Sequence, residues 1–462
     1  MIGVVGIVFS LALLMYLAYR GINVLILAPI CATLAVLFSG LDSPLLGTYT
    51  QVFMVELGKY LAKFFPLFLL GAIFGKLMDD SGSARVIAET IARKVGAHQA
   101  LLAVVLACAI LTYGGVSLFV VAFAVYPIGA ALLRTSNTPK RLLPGAIALG
   151  SFTFTMTALP YTPAIQNAIP APFFGTTTGA APGLGIIGGL LEFGVGMLWL
   201  NWRARAANNR GEGYGDHDDA TAVPTAHDNA PSFLIALTPI LVVIALNYVM
   251  SNYVLPASDT DFLAQPKFGA TKLSAVLGLW AIIVALIIAC IVCIAINWSR
   301  FANLVDTINK GTFGSMLPIF NTASEVGYGN VIASLPAFII VREAMTHITT
   351  NPVWLTFISV SSLAGITGSA SGGLSIALSA IGEQLVAAAH NYGISVDLLH
   401  RVAAMACGSF DTLPHNGAVI TLLAICGLNH RQSFLDIFVV SSVITACATI
   451  VVILLGLTFG AF

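Results

Sequence analysis

Tyr113-Gly114-Gly115-Val116-Ser117 in the first half of the chain is echoed by Ser371-Gly372-Gly373-Leu374-Ser375 in the second, with 258 residues between Gly114 and Gly372. A second pair keeps that offset. Gly150-Ser151-Phe152, followed by Leu159-Pro160-Tyr161-Thr162-Pro163-Ala164, returns as Gly408-Ser409-Phe410, followed by Leu413-Pro414-His415-Asn416-Gly417-Ala418. Both pairs interrupt long apolar runs. In lipid an exposed, unpaired backbone group costs several kcal/mol, so such breaks persist only where protein or a water-filled cavity surrounds them. Broken apolar segments at matching places in two halves mark a binding site near mid-membrane in transporters.

The composition agrees with a membrane setting. Hydrophobic residues make up 58% of the 462 residues and charged residues 9%, where a soluble domain carries about 25% charged residues. The class is an all-α polytopic membrane protein. Net charge is zero and no basic run exists, which gives no support for nucleic-acid binding. All seven cysteines fall in apolar stretches, and Cys290-x-x-Cys293 lacks nearby histidines, so it reads as helix packing rather than a metal or redox pair. No P-loop, H-E-x-x-H or nucleophile–base spacing is present, so no cofactor, metal or ATP-driven pumping is expected. Residues 2–19 are apolar with no preceding basic region, and read as a spanning helix rather than a signal peptide.

A span needs about 20 apolar residues. That predicts spans at 2–19, 22–40, 57–78, 142–170 (broken) and 183–201, then 232–255, 272–297, 311–329, 399–427 (broken) and 433–458. Stretches 98–134 and 352–390 are too long for one crossing and too short for two, and fit re-entrant hairpins tipped by Gly114-Gly115 and Gly372-Gly373. Segments 80–96 and 331–349 carry charge and read as interfacial connecting helices. The polar stretch 203–231 reads as a solvated cytoplasmic linker between a first repeat, 1–202, and a second, 232–462. Lys and Arg placement puts Arg20, Lys76–Lys94, Arg134–Arg141, Arg203–Arg210, Arg300/Lys310 and Arg431 inside, and the Lys/Arg-free loop 41–56 outside. Loop 256–271 fits less cleanly, and Arg342 and Arg401 fall outside, against the trend. The halves then run in opposite directions as inverted repeats of about five spans each, with a hairpin and a broken helix apiece, and both termini are periplasmic.

Glycines at a hairpin tip let backbone turn tightly and approach a ligand, and a helix starting there favours an anion. A carboxylate substrate could thus be held by Gly114, Gly115 and Ser117 with Gly372, Gly373 and Ser375. The competing reading is close helix packing by small residues. At the breaks, Thr157, Tyr161 and Thr162, and Thr412, His415 and Asn416, are candidate substrate contacts. A proline kink satisfied by neighbouring helices is the alternative. Titratable groups inside spans are rare and functional by default, so Asp411, His415 and Glu325 are candidates to carry a coupled proton. Freed carbonyls and hydroxyls could equally hold Na⁺. A channel or a membrane-embedded enzyme are further alternatives.

The stretch Gly114-Gly115-Val116-Ser117-Leu118-Phe119-Val120 through Tyr126-Pro127 resembles the signature of the gluconate:proton symporter (GntP) family. So do Gly150-Ser151-Phe152-Thr153 through Leu159-Pro160 and the Phe173-Phe174-Gly175-Thr176-Thr177 loop, and the resemblance runs along the whole chain. It implies a bacterial inner-membrane symporter of small organic acids, gluconate or short hydroxy or keto acids such as 3-hydroxybutyrate. Through the wider ion transporter superfamily it also implies an elevator-type transport domain moving on a scaffold, and a homodimer. Few hydroxyl-binding residues lie beyond the breaks, which favours a short monocarboxylate.

Overall fold

The computed structural model describes residues 2–20, 22–40, 44–116, 118–217, 230–340, 349–414 and 416–462. Ser117 and His415, and residues 341–348 of the second connecting segment, lie outside them. Among the described residues the chain is helical with no β-strand. Six helices are long and apolar enough to cross a membrane: Leu45–Asp80, Pro182–Asn208, Phe233–Val254, Leu273–Arg300, Ala370–Tyr392 and His430–Phe459. A seventh arises if Ser83–Val95 and Ala97–Tyr113, which meet at 102°, form one bent span.

Span ends differ from those the hydropathy predicts. Val24–Phe38 has only 15 residues, about 22 Å of helix, short of a hydrocarbon core of about 30 Å. The spans predicted at 57–78 and 433–458 are longer, since Leu45–Asp80 and His430–Phe459 continue through single π turns at Tyr49–Phe53 and Val439–Val443. Leu45–Asp80 packs along Leu304–Ser334; both touch the helix Val24–Phe38, and Leu45–Asp80 also touches Leu273–Arg300. Small residues let the two long helices meet. A Cβ on Gly311 would lie 2.8 Å from Ile73 Cα, and one on Gly327 would lie 2.9 Å from the Phe53 carbonyl. Ser83–Val95 is the expected connecting helix. It buries Ala84, Ile87, Ala88 and Ile91 on one face and ends in Arg93 and Lys94.

A pair of helices occupies each stretch expected to be a hairpin. Ala100–Tyr113 and Leu118–Thr135 form the first. Its tip turns at Gly115, whose φ of +91° favours glycine, and Val116 N–H closes the helix end on the Leu111 carbonyl at 3.1 Å. The second, Pro352–Thr367 and Ala370–Tyr392, corrects the predicted tip. It turns at Gly368 (φ +63°), and Ser369 caps the next helix by accepting from Gly372 N–H. Gly372 and Gly373 therefore sit in that helix's first turn. Gly373 lets the two arms touch, for its Cβ would fall on the backbone of Ala364.

The broken helices follow the hairpins. The first runs Leu143–Ser151, makes the isolated turn Phe154–Thr157, leaves helix at 158–164, and resumes in the short turns Ile165–Ala168 and Ala171–Phe174. The second runs Val396–Ala406, breaks over 407–416 and resumes at Gly417–Ile425. The polar stretch after residue 202 is not uniform. Its start completes the Pro182–Asn208 helix, Tyr214 is buried, and 218–229 lie outside the described residues.

Candidate functional site

Each tip is bonded to the break of its own half. Tyr113 Oη donates to the Pro160 carbonyl at 2.8 Å, and a Cβ on Gly115 would lie 2.6 Å from Pro163 Cγ. In the second half, Asn416 Nδ2 donates to the Gly368 carbonyl of the tip and to the Asp411 carbonyl, both at 2.9 Å. Asn416 Oδ1 also caps the resumed helix through Val419 N–H at 2.9 Å. The two breaks meet where Gly408 passes Thr157, since a Cβ there would be 3.5 Å from Thr157 Cγ2.

The carbonyls freed at the first break are each claimed by a different element. Besides Tyr113, Asn247 Nδ2 donates to the Tyr161 carbonyl at 2.9 Å. Asn167 Nδ2 reaches the Thr162 carbonyl at 3.3 Å, and Arg401 Nη1 takes the Thr157 carbonyl at 3.1 Å. Tyr161 adopts φ +62°, which a tyrosine holds only when its surroundings over-determine it. Its ring packs edge-on against Tyr248 with centroids 5.1 Å apart, and its hydroxyl accepts from Asn252 Nδ2 at 3.3 Å.

At the second break Thr412 Oγ1 shares hydrogen bonds with Ser441 Oγ and Ser442 Oγ, both at 2.7 Å, anchoring it to the π turn of the last helix. His430 Nε2 donates to the Pro414 carbonyl at 2.9 Å. Asp411 is buried and its Oδ1 has no protein partner. Glu325, on Leu304–Ser334, points at the second hairpin. A Cβ on Gly372 would fall on its Oε2, and that oxygen is buried without a partner, as are Ser375 Oγ and Tyr60 Oη. The structure thus gathers Gly114, Gly115, Tyr161 and Thr162 at one tip and break. It gathers Gly372 and Glu325 beside the second tip, with Asp411, Thr412 and Asn416 at the second break.

A model of GntP family permeases matches residues 1–458. The chain belongs to the GntP permease family. An uncharacterized transporter of Bacillus subtilis strain 168, YxjC, is 45% identical over 466 residues, covering 98% of each chain. An uncharacterized transporter of Haemophilus influenzae is 30% identical over 179 residues, 38% of this chain and 40% of that one. Among solved structures, the YdaH transporter of Alcanivorax borkumensis is alike in fold, with a TM-score of 0.54 at 17% identity over 91% of this chain and 90% of that one. The permease is thus a multi-pass secondary transporter of the membrane.

Three functional candidates of the permease escaped the sequence reading. Arg401 is fully buried. All five of its N–H donors are used: Nε and Nη2 on the Ala180 carbonyl, Nη2 also on Thr178, and Nη1 on the Thr157 carbonyl and Asn167 Oδ1, at 2.8–3.2 Å. No carboxylate among the described residues bonds it. His400 beside it donates from Nε2 to the Asn167 carbonyl at 3.1 Å, which leaves Nδ1 to accept from Thr176 Oγ1 at 2.6 Å. The third is Glu192, wholly buried in Pro182–Asn208 with neither oxygen bonded. The signal was available, because both Arg401 and Glu192 are charges within apolar runs.

At one end of the permease a charge cluster ties four segments together. Asp436 is buried and accepts from Arg203 Nε at 2.7 Å, Trp199 Nε1 at 3.1 Å and Arg141 Nη1 at 3.2 Å. Arg141 also forms a two-pronged pair with Glu212, at 2.5 and 2.9 Å. The Arg141 hydrogen bond holds the Glu212 carboxyl below the usual carboxylate range, and Glu212 in turn raises Arg141.

Proposed function

We propose that the permease accumulates a small organic acid anion by symport with a proton. The observation that carries this reading is the pair of tips, each hydrogen-bonded to its own break, with the breaks touching at Thr157 and Gly408. An anion between them meets the starts of two helices, Leu118–Thr135 and Ala370–Tyr392. It also feels the charge of Arg401, whose donors are all spent on oxygens of the first break's segment. Arg401 therefore attracts through its field rather than by bonding. Backbone at Gly114, Gly115, Gly372 and Gly373, with Ser375, Thr157 and Thr162, lines that place; the sequence candidates Ser117 and His415 lie outside the described residues. Tyr161, Thr412 and Asn416 hold the breaks in shape.

Asp411 and Glu325, each with an unpartnered oxygen among the described residues, supply proton acceptors at the second break and beside the second tip; His415 stays a candidate from sequence alone. Sodium held by the same oxygens is the rival reading. The hydroxyls of Thr153, Thr155 and Thr157 are committed to carbonyls, which leaves few to grip a polyhydroxylated acid. This favours a short hydroxy or keto monocarboxylate such as 3-hydroxybutyrate over gluconate. In this reading 1–202 and 232–462 are inverted repeats joined by the 203–231 linker. The hairpins and broken helices move elevator-fashion against the remaining spans, and the protein is a homodimer in a bacterial inner membrane with periplasmic termini.

The test is uptake of labelled 3-hydroxybutyrate and gluconate into proteoliposomes under an imposed pH gradient, with choline replacing sodium. Accumulation that a protonophore collapses is expected, and Asp411→Asn should abolish it while exchange persists. Accumulation that appears only with sodium overturns proton coupling, and conductance without saturation overturns symport.

A further inference from the structure

Pro182–Asn208 carries Gly188, Glu192 and Gly196 four residues apart, so the three share one face. A Cβ on Gly188 would meet Met405 and Val452, and one on Gly196 would meet Leu149. Glu192 therefore projects into the seam between the second broken helix, the last helix and Leu143–Ser151. Nothing there compensates it, because both oxygens are buried and unbonded.

The same seam holds other unsatisfied oxygens. Cys407 is the first residue past Val396–Ala406, two residues after the Met405 that Gly188 faces. Next to it Gly408 lies 3.5 Å, at its Cβ position, from Thr445 Cγ2. Ser409 Oγ and Thr445 Oγ1 are buried and without partners among the described residues. Hydroxyls in apolar helices ordinarily bond the carbonyl one turn back, as Ser151, Ser441 and Thr449 do at 2.6–2.7 Å in this chain. Ser409 and Thr445 do not.

An uncompensated carboxylate in a dry interior is too costly to persist, so it must share its charge with a cation. We propose that Glu192, with the Ser409 and Thr445 hydroxyls of the same seam, is a binding site for a monovalent cation, a proton or Na⁺. The all-oxygen donor set suits a hard cation and offers no soft ligand for a transition metal. The inference rests on the transport reading and deepens it. The site lies within the unit built from both broken helices, Pro182–Asn208 and the last helix, so the cation travels with whatever that unit carries. The titratable groups of the second break are Cys407 and, four residues further on, Asp411. Arg401 lies against Gly185, two turns and about 10 Å along the same face. The packed faces of Leu143–Ser151 and Ile444–Phe459 add no acid or base.

Purified full-length protein and Glu192→Gln would be compared in two measurements. The first is melting temperature in Na⁺ against K⁺ and choline at fixed ionic strength, with infrared detection of protonated carboxyl across pH. The second is gradient-driven uptake. A Na⁺-specific rise in melting temperature that Glu192→Gln removes assigns sodium. A protonated-carboxyl band that Glu192→Gln removes assigns the proton. Either should accompany at least a tenfold loss of accumulation, with exchange retained. If Glu192→Gln keeps the wild-type ion response, carboxyl band and accumulation, the site is refuted. Should wild type transport no acid under either gradient, the transport reading fails, while the melting and infrared arms still judge the site. If Glu192→Gln does not fold, Ser409→Ala combined with Thr445→Val takes its place, and an unaltered ion response and carboxyl band refute the site equally.

Discussion

At the scale of single residues, glycine here makes room for chemistry as often as it turns the chain. Gly372 is the clearest case, since the space a Cβ would occupy belongs to the Glu325 carboxyl. Gly372→Ala should displace that carboxyl and remove uptake in proteoliposomes, even though alanine favours a helix by about 1 kcal/mol. Gly194→Ala, where a Cβ meets nothing within 4 Å, should leave uptake intact and stability equal or higher. Equal loss in both variants would show that helix flexibility, rather than the Glu325 contact, matters at Gly372.

At the scale of elements, the tip-to-break bonds differ in what they hold. Asn416 bonds the tip, bridges the break and caps the helix beyond, whereas Tyr113 makes one bond. Asn416→Ala should lose the cap, about 1 kcal/mol, and strand two carbonyls, abolishing uptake. Tyr113→Phe gives up one bond of about 1 kcal/mol and should retain measurable uptake. The hairpins and breaks were legible because proline, glycine and apolar runs are local signals. The second tip was misplaced by a few residues because Gly-Gly signals a close approach as well as a turn, and only Ser369's cap decides between them. Arg401 was misjudged for a related reason. Sequence shows a charge among apolar residues, but its four acceptors lie 221–244 residues away.

At the scale of the whole molecule, the elevator reading predicts that the first break's loop slides past Leu273–Arg300. A Cβ on Gly175 would lie 3.6 Å from Ser274 Cβ, within the range of about 3.5–4.5 Å that a disulfide spans. With the seven native cysteines replaced by alanine, Gly175→Cys with Ser274→Cys should cross-link on oxidation and stop uptake, and reductant should restore it. Uptake that continues in fully cross-linked protein would exclude that movement. The charge cluster at Asp436 is expected to keep its four segments as one body. Glu212 is held below its unfolded value of about 4.3, so its contribution is complete above that pH and fades as pH falls through the lower folded value. The melting temperature should therefore drop more steeply below about pH 4.3 in wild type than in Glu212→Gln. Parallel curves would show that the pair adds nothing.

The bonds from Arg401 into the first break also set an order of manufacture. Thr157 precedes Arg401 by 244 residues, so the first half leaves the ribosome with its break unsealed. At 5–20 residues per second, roughly 12–50 s pass before the arginine is made. Through that interval the open carbonyls must be sheltered by water, by the insertion machinery or by a chaperone.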